Sequence, residues 1–348
     1  MTTDTAVQAP TPATPARRTR RRLPVASVWV GLLLLVLATA IVSQTMSDFN
    51  IFVFNTCLLA SMGAIALNVQ LGTTGQVSLG NAAFLAVGAF TTAALSDAGI
   101  GFPWSILVAA VISGAVGLVI AVPALRLRGL YFALATVSAY FIIYFFCNRY
   151  QTSTVGEAGF QFPPVFTASY HDLQAMWAWL LTAVLAVVII GASVITKGKV
   201  GRSLRIIRDH ELAAPAFGVN VTRNKLIVFG LGFAVIGLQG GLTAYYSGLV
   251  TIDSFTLLLT IQYLAMVIIG GLDSIPGAVI GAFIVTILPT LITNLLSSSL
   301  GAAATVKGPQ IATIVYGVLV IIFVTSSAGG IVGWTRSIQR LILRKVDR

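Results

Sequence analysis

The chain has 348 residues, 57% of them hydrophobic and only 9% charged, with a formal net charge of +11 and a mean hydropathy of +0.94. A soluble domain carries about 25% charged residues, so this composition excludes a water-soluble fold. It also turns the positive charge from a hint of nucleic acid into a question of membrane orientation. Apolar runs of about 20 residues, each long enough to cross a hydrocarbon core of about 30 Å, recur along the chain and define an all-α polytopic membrane protein. Cys57 and Cys147 both lie in such runs and read as buried thiols without redox or metal roles.

In chain order, residues 1–24 are rich in Thr, Pro and Ala and end in the basic run Arg17–Arg22. Such a composition buries too little apolar surface to order itself, which predicts a disordered basic cytoplasmic tail. The first apolar run, 25–45, has the look of a secretory signal with Ala38-Thr39-Ala40 at its end. It continues through Ile41 and Val42, however, and is expected to remain as a helix. Further spans are expected at about 51–69, 80–96, 104–125, 130–147, 176–196, 225–246, 257–272, 277–297 and 309–327. That makes about ten transmembrane helices with both termini cytoplasmic, followed by a basic tail over 328–348. With this topology 19 of the 21 Lys and Arg residues fall inside, and only Arg149 and Lys307 fall outside. The largest external loop, 148–175, is expected to carry a short amphipathic piece near His171.

One charged segment interrupts this pattern on the cytoplasmic side, between 197 and 225. Gly198 and Gly201 punctuate its start. Leu204, Ile206, Ile207 and Leu212 to Ala214 mark the apolar positions of a short helix, and Arg202, Arg205, Arg208, Asp209 and Glu211 the polar ones. Pro215 and Gly218 place its end near 214–218. About three turns of helix are too few to be stable alone in water, so the segment needs a support. Anionic lipid headgroups would suit its arginines. A cytoplasmic protein partner would suit it equally.

Catalytic chemistry is hard to find. No stretch reads G-x-x-x-x-G-K-[ST], and GKVGRS (Gly198–Ser203) lacks the preceding glycine. His171 and His210 have no companions at metal-ligand or triad spacing, so no catalytic or metal residues are assigned. GLQGG (Gly237–Gly241) lies in an apolar span, where Gly237 and Gly241 read as a close-packing pair, as do Gly277 and Gly281. No ionisable residue falls near a span's midplane, which argues against a proton- or sodium-driven secondary carrier. The polar stretch NVQLGTTGQVSLGN (Asn68–Asn81) admits two readings: a helix broken at membrane depth beside a solute path, or a plain cytoplasmic turn. Gln76, Ser78 and Asn81 within it are candidate path residues. Gln239 and Gln262 are further candidates, although they, Tyr245 and Tyr263 also suit interhelical hydrogen bonding.

Four stretches carry a resemblance. LGTTGQVSLGNAAFLAVGAF (Leu71–Phe90), LRLRGLYFALAT (Leu125–Thr136), GRSLRIIRDHELAAPAFGVNVTRNKL (Gly201–Leu226) and AMVIIGGLDSIPGAVIGA (Ala265–Ala282) occur in this order. Together they resemble the permease subunits of branched-chain amino acid ABC importers, in particular the larger of the paired permeases. The resemblance implies a transmembrane permease domain over 25–327 with a cytoplasmic coupling loop at 197–225, in the inner membrane of a bacterium. It implies as partners a second homologous permease, two ATP-binding subunits that hold the ATP and magnesium, and an extracytoplasmic solute-binding protein; this chain itself would bind no cofactor. In such importers a coupling helix with an E-A-A-x-x-x-G pattern docks on the ATPase. Ala213, Ala214 and Gly218 fit that spacing, but position 212 is Leu, Glu211 comes one residue early, and Pro215 is unusual there. Related permeases for urea or short amides share much of the pattern and remain an alternative.

Overall fold

The structure is a computed structural model that describes residues 26–127 and 129–300, and of the remainder only 314, 315, 317, 318 and 321. The helices are α1 (Ala26–Thr45), α2 (Asp48–Thr74), α3 (Asn81–Asp97), α4 (Trp104–Ala124), α5 (Leu130–Thr154), α6 (Tyr170–Lys197), α7 (Lys199–Asp209), α8 (Val221–Ser247), α9 (Leu257–Gly270) and α10 (Ile275–Leu300). Nine of the ten expected spans thus coincide with helices. The tenth, at 309–327, lies outside the described residues apart from five isolated positions, as do both expected tails. Among the described residues, seven helical stretches are long and apolar enough to cross a membrane; α3 and the stretch Trp29–Thr45 of α1 are shorter.

Two helices form the centre. The most apolar window of α2 is 78% buried, whereas those of α5, α6 and α10 are each 33% buried. α2 is enclosed by α6, α8, α9 and α10, and α8 by α2, α3 and α4. The outer helices present Val111, Val119, Phe145, Val187 and Val194 to the surroundings. An apolar surface of this extent suits lipid rather than water.

Glycine sets the distance between the central helices. A Cβ placed on Gly88 of α3 would lie 2.1 Å from the Gly237 carbonyl of α8, and one on Gly240 would lie 2.1 Å from the Leu85 carbonyl. The same device joins α9 to α10, where Gly281 abuts the Met266 carbonyl and Gly270 abuts Gly277. The spacing of Gly237 with Gly241 and of Gly277 with Gly281 anticipated these close approaches.

Two features depart from expectation. α5 continues two turns past its apolar run to Thr154, because a helix leaving a membrane has no need of apolar residues to keep its backbone bonded. The loop after it does not hold a separate amphipathic piece at His171. Instead a two-residue strand β1 (Phe160–Gln161) pairs antiparallel with β2 (Leu249–Val250), Phe160 opposite Val250. Gln151 fastens this strand pair by accepting the Ile252 N–H at 2.8 Å. His171 belongs to the first turn of α6 and meets Asp48 of α2 at 2.6 Å.

Helix contact through bare backbone leaves no flexible atom to yield. Gly88→Ala is expected to destabilise the fold by about 3 kcal/mol, the upper end of ordinary overpacking, as measured by equilibrium unfolding in mixed micelles. Gly191→Ala on α6, where no atom lies within 4 Å of the new methyl, is expected to leave stability unchanged.

Candidate functional site

The charged segment sits at the end of the bundle opposite the β1–β2 strand pair. Gly198 caps α7, and the chain turns so sharply there that a Cβ on Gly201 would meet the Thr196 carbonyl at 2.2 Å. Gly201, Leu204 and Ile207 form the buried face of α7. The helix ends at Asp209, earlier than the expected 214–218. Pro215 has no N–H and disfavours helical backbone in the residue before it, and Ala214–Phe217 accordingly form a short 3-10 turn closed by Gly218 at φ 71°. Ile206, expected on the apolar face, is exposed.

Arg205 and Arg208 brace α7 against the bundle. Arg205 donates to the Thr196 carbonyl at 3.2 Å and lies 4.0 Å from the Asp273 carboxylate. Arg208 donates to the Gly72 carbonyl in the last turn of α2. Glu211 is likewise engaged: it accepts from Lys225 Nζ at 2.8 Å, and Lys225 is only 1% exposed. Asp209, Ala213 and Gly218 are exposed, whereas Ala214 is buried. The groups that project furthest are Leu212, 78% exposed, and Phe217, 73% exposed. A pair of large apolar side chains flanking Pro215 in water is costly unless something covers them.

Sequence reading gave no role to Asn68, which ties this end together. Its Nδ2 donates to the Gly271 carbonyl at 3.2 Å and to the Ser274 carbonyl at 3.1 Å, and its Oδ1 accepts the Asp273 N–H at 3.0 Å. One amide on α2 thereby caps the α9–α10 turn, in which Asp273 adopts a φ of 63°. The available signal was an asparagine inside an apolar run, one turn before Gly72. Lys225, a lone cation opening an apolar run, was the signal for the buried ion pair.

The polar stretch between α2 and α3 combines both readings: it turns at Gly75, exposed beside Arg208 at the α7 end, and then runs back buried into the bundle. α2 ends at Gly75, in left-handed conformation at φ 73°. Residues 75–80 are not helical, yet Gln76 and Ser78 are buried. α3 then starts at mid-bundle: the Phe84 carbonyl in its first turn accepts from Ser113 Oγ at 3.0 Å, and the same hydroxyl reaches the Phe233 carbonyl at 3.1 Å. Ser113 and Phe233 lie near the middles of α4 and α8. Side-chain hydroxyls replace the missing helical partners, with Leu79 N–H donating to Thr136 Oγ1 at 2.9 Å and Ala82 N–H to Thr260 Oγ1 at 3.0 Å. Gln76 Oε1 and both amide atoms of Asn81, which is 1% exposed, have no partner among the described residues.

Gln239 and Gln262 come together elsewhere. Both line a partly open cavity of about 380 Å³ bounded by α2, α3, α8, α9 and α10 and by the segment Leu249–Phe255. Gln239 Nε2 donates to Tyr263 Oη, the interhelical bond expected of such residues, and Tyr245 Oη pairs with Ser105 Oγ at 3.0 Å. Gln76, Ser78 and Asn81 do not line this cavity. The five candidate path residues therefore form two groups, one in the break and one in the cavity.

A helix bundle that spans a membrane, is broken at mid-depth and is braced at one end by a short amphipathic helix defines a polytopic membrane protein of transporter type. The chain belongs to the family described as branched-chain amino acid transport system / permease component, which matches residues 49–324. It is 28% identical over 249 residues to the high-affinity branched-chain amino acid transport system permease protein LivM of Salmonella typhimurium, covering 64% of this chain and 59% of that protein. It is 26% identical over 259 residues to the permease protein LivH of the same kind of system in Escherichia coli, covering 68% of this chain and 82% of the relative. A probable LivH of Methanocaldococcus jannaschii is 32% identical over 135 residues, 38% of this chain and 42% of that protein. The chain thus spans about three-fifths of the length of the LivM relative. No solved structure matches it.

The Glu211–Lys225 pair is expected to follow the behaviour of buried ions, where removing one partner costs far more than removing both. Glu211→Leu or Lys225→Met alone should cost about 3 kcal/mol, the lower end for a buried pair because Glu211 keeps some solvent contact. The double variant should recover most of that loss. A double-mutant cycle on unfolding midpoints checks this.

Proposed function

We propose that this chain is the non-catalytic membrane subunit of an ATP-driven importer and forms half of the path for branched-chain or related amino acids. The observation that carries the reading is the segment from Lys199 to Gly218, a braced helix whose following turn holds Leu212 and Phe217 out into solvent at one end of the bundle. The family and the names of the LivM and LivH relatives support the solute class. Each partner would have its place: two ATPase subunits on the 199–218 side, a binding protein on the side of the β1–β2 strand pair, and a second permease along the bundle. The ATP and magnesium would belong to the ATPase subunits. The reading implies ten spans, both termini in the cytoplasm, and a bacterial inner membrane.

The transmission of motion follows from the contacts. Force applied at Leu212 and Phe217 enters α7. It passes through Arg208 to the end of α2, and through Arg205 and Asp273 to the α9–α10 turn that Asn68 holds. Both routes end beside the break at 75–80, where the backbone already departs from helix. ATP closure would bias that joint between two arrangements.

Two variants separate docking from transmission in the reconstituted complex. Leu212→Asp with Phe217→Asp is expected to strip the ATPase subunits during purification, while the permease still inserts and melts normally. Arg208→Gln is expected to retain the ATPase subunits and their basal hydrolysis but to lower ATP-driven uptake at least tenfold. Full uptake with either variant would refute the assigned role.

A further inference from the structure

We infer that the end of this subunit opposite α7 is a pre-ordered acidic docking face, which a soluble extracytoplasmic protein meets with lysine and arginine side chains. The inference deepens the importer reading and rests on it, because that reading supplies the protein that docks there. Among the described residues the charges divide by end. The α7 end carries Arg202, Arg205, Arg208, Arg223 and Lys225, and by the inside preference of such residues it faces the cytoplasm. The opposite end carries the carboxylates of Asp48, Asp97, Glu157, Asp172 and Asp253, with Arg149 as its only Lys or Arg among the described residues.

Contacts between the loops gather these carboxylates onto one face. Asp48 opens α2 and meets His171 of α6. β1, which follows Glu157, pairs with β2, just before Asp253. The loop after Asp97 joins them through Phe102, whose ring lies 6.4 Å from Trp177 and 5.8 Å from Tyr245. Phe162 packs on Tyr245 at 4.9 Å and Phe166 on Trp177 at 5.6 Å. A face tied by aromatic rings from several loops loses little freedom when a partner lands on it.

Local structure explains only some of the acids. Asp48 and Asp172 stand at helix N-termini, where the helix dipole favours them, and they engage His171 and Ser169. Asp97, Glu157 and Asp253 are exposed and make no ion pair within the described chain. Asp97 is the last residue of α3, the end at which the dipole disfavours a carboxylate. The acids are too dispersed for a metal: among the described residues no three His, Cys, Asp or Glu could hold one. Anionic lipid headgroups are repelled by such a face. A protein bearing cations over a matching area gains at each of them, chiefly in its rate of encounter.

The test is capture of the solute-binding protein of the same transport system, loaded with L-leucine, by the assembled complex in nanodiscs of zwitterionic lipid. The association rate is expected to fall at least about tenfold between about 50 and about 500 mM NaCl. Combining Asp97→Asn, Glu157→Gln and Asp253→Asn should slow association about tenfold at the lower salt and remove most of the salt dependence. The melting temperature and basal ATP hydrolysis should not change. Carbodiimide, which joins carboxylates to adjacent lysines, should couple the binding protein's lysines to Asp97, Glu157 or Asp253, as read by mass spectrometry. Salt-independent association, faster capture by the neutralised variant, or coupling to none of the three would overturn the face. ATP-driven uptake, measured alongside, separates the two ideas. Intact uptake with unchanged capture in the variant sinks the docking face and leaves the importer reading standing. A complex that neither captures the binding protein nor imports amino acids sinks the importer reading, and this inference with it.

Discussion

Every backbone N–H and C=O inside a membrane must find a partner within the protein, because no water is there to serve. For most of this chain the helix itself satisfies that demand. Between Gly75 and Gly80 it does not, and the surrounding structure is organised to make good the difference. Thr136 serves the Leu79 N–H, Thr260 serves Ala82, and Ser113 bridges two carbonyls on α3 and α8. These three hydroxyls come from three different helices. The buried stretch and its partners therefore help fix where α4, α5 and α9 stand around the central pair α2 and α8.

The hydroxyls reach only if the helices are close, and here the glycines enter. Ser113 Oγ spans from Phe84 to Phe233 because Gly88 and Gly237 let α3 and α8 touch through backbone. Ser113 itself occupies the volume that a side chain at Gly237 would need, its Cβ lying 2.2 Å from that position. Small residues and short hydroxyls thus form one device: the first sets the distance that the second requires. In lipid, where water drives no association between apolar surfaces, such contacts carry much of the cohesion.

Much of this was legible in the sequence and some was not, for physical reasons. Apolar runs locate helices because hydrocarbon thickness sets their length, so nine runs gave nine helices. They do not locate helix ends beyond the hydrocarbon, hence the extension of α5 to Thr154, nor a pair of two-residue strands some 90 positions apart in chain order. In the charged segment the alternation of Leu204 and Ile207 with arginines revealed α7. Pro215 signalled that the helix could not run on, but that Glu211 turns to Lys225 fourteen residues on is a contact that no local pattern contains. The stretch from Asn68 to Asn81 was visibly polar, but a part that turns at the surface and a part that runs buried look alike in one dimension. Only Ser113 and Thr260, on other helices, tell them apart. The cavity was half visible: Gln239 and Gln262 stood out as amides in apolar spans, while Thr286, which also lines it, did not.

The position of the break relative to α7 gives the arrangement its mechanical sense. A straight, fully bonded helix transmits displacement along its length but gives poorly at any one place. α2 is such a helix up to Thr74, and Arg208 grips its last turn. The next six residues have few helical bonds to lose, so they can take up a change in φ and ψ that α2 cannot. About a turn earlier on α2, Asn68 binds the α9–α10 turn and so ties α9, which carries Gln262 and Tyr263, to α2. The cavity lies between those two helices and α8, beyond the joint. From the α7 end, then, the first backbone met beyond the last turn of α2 is the non-helical run 75–80.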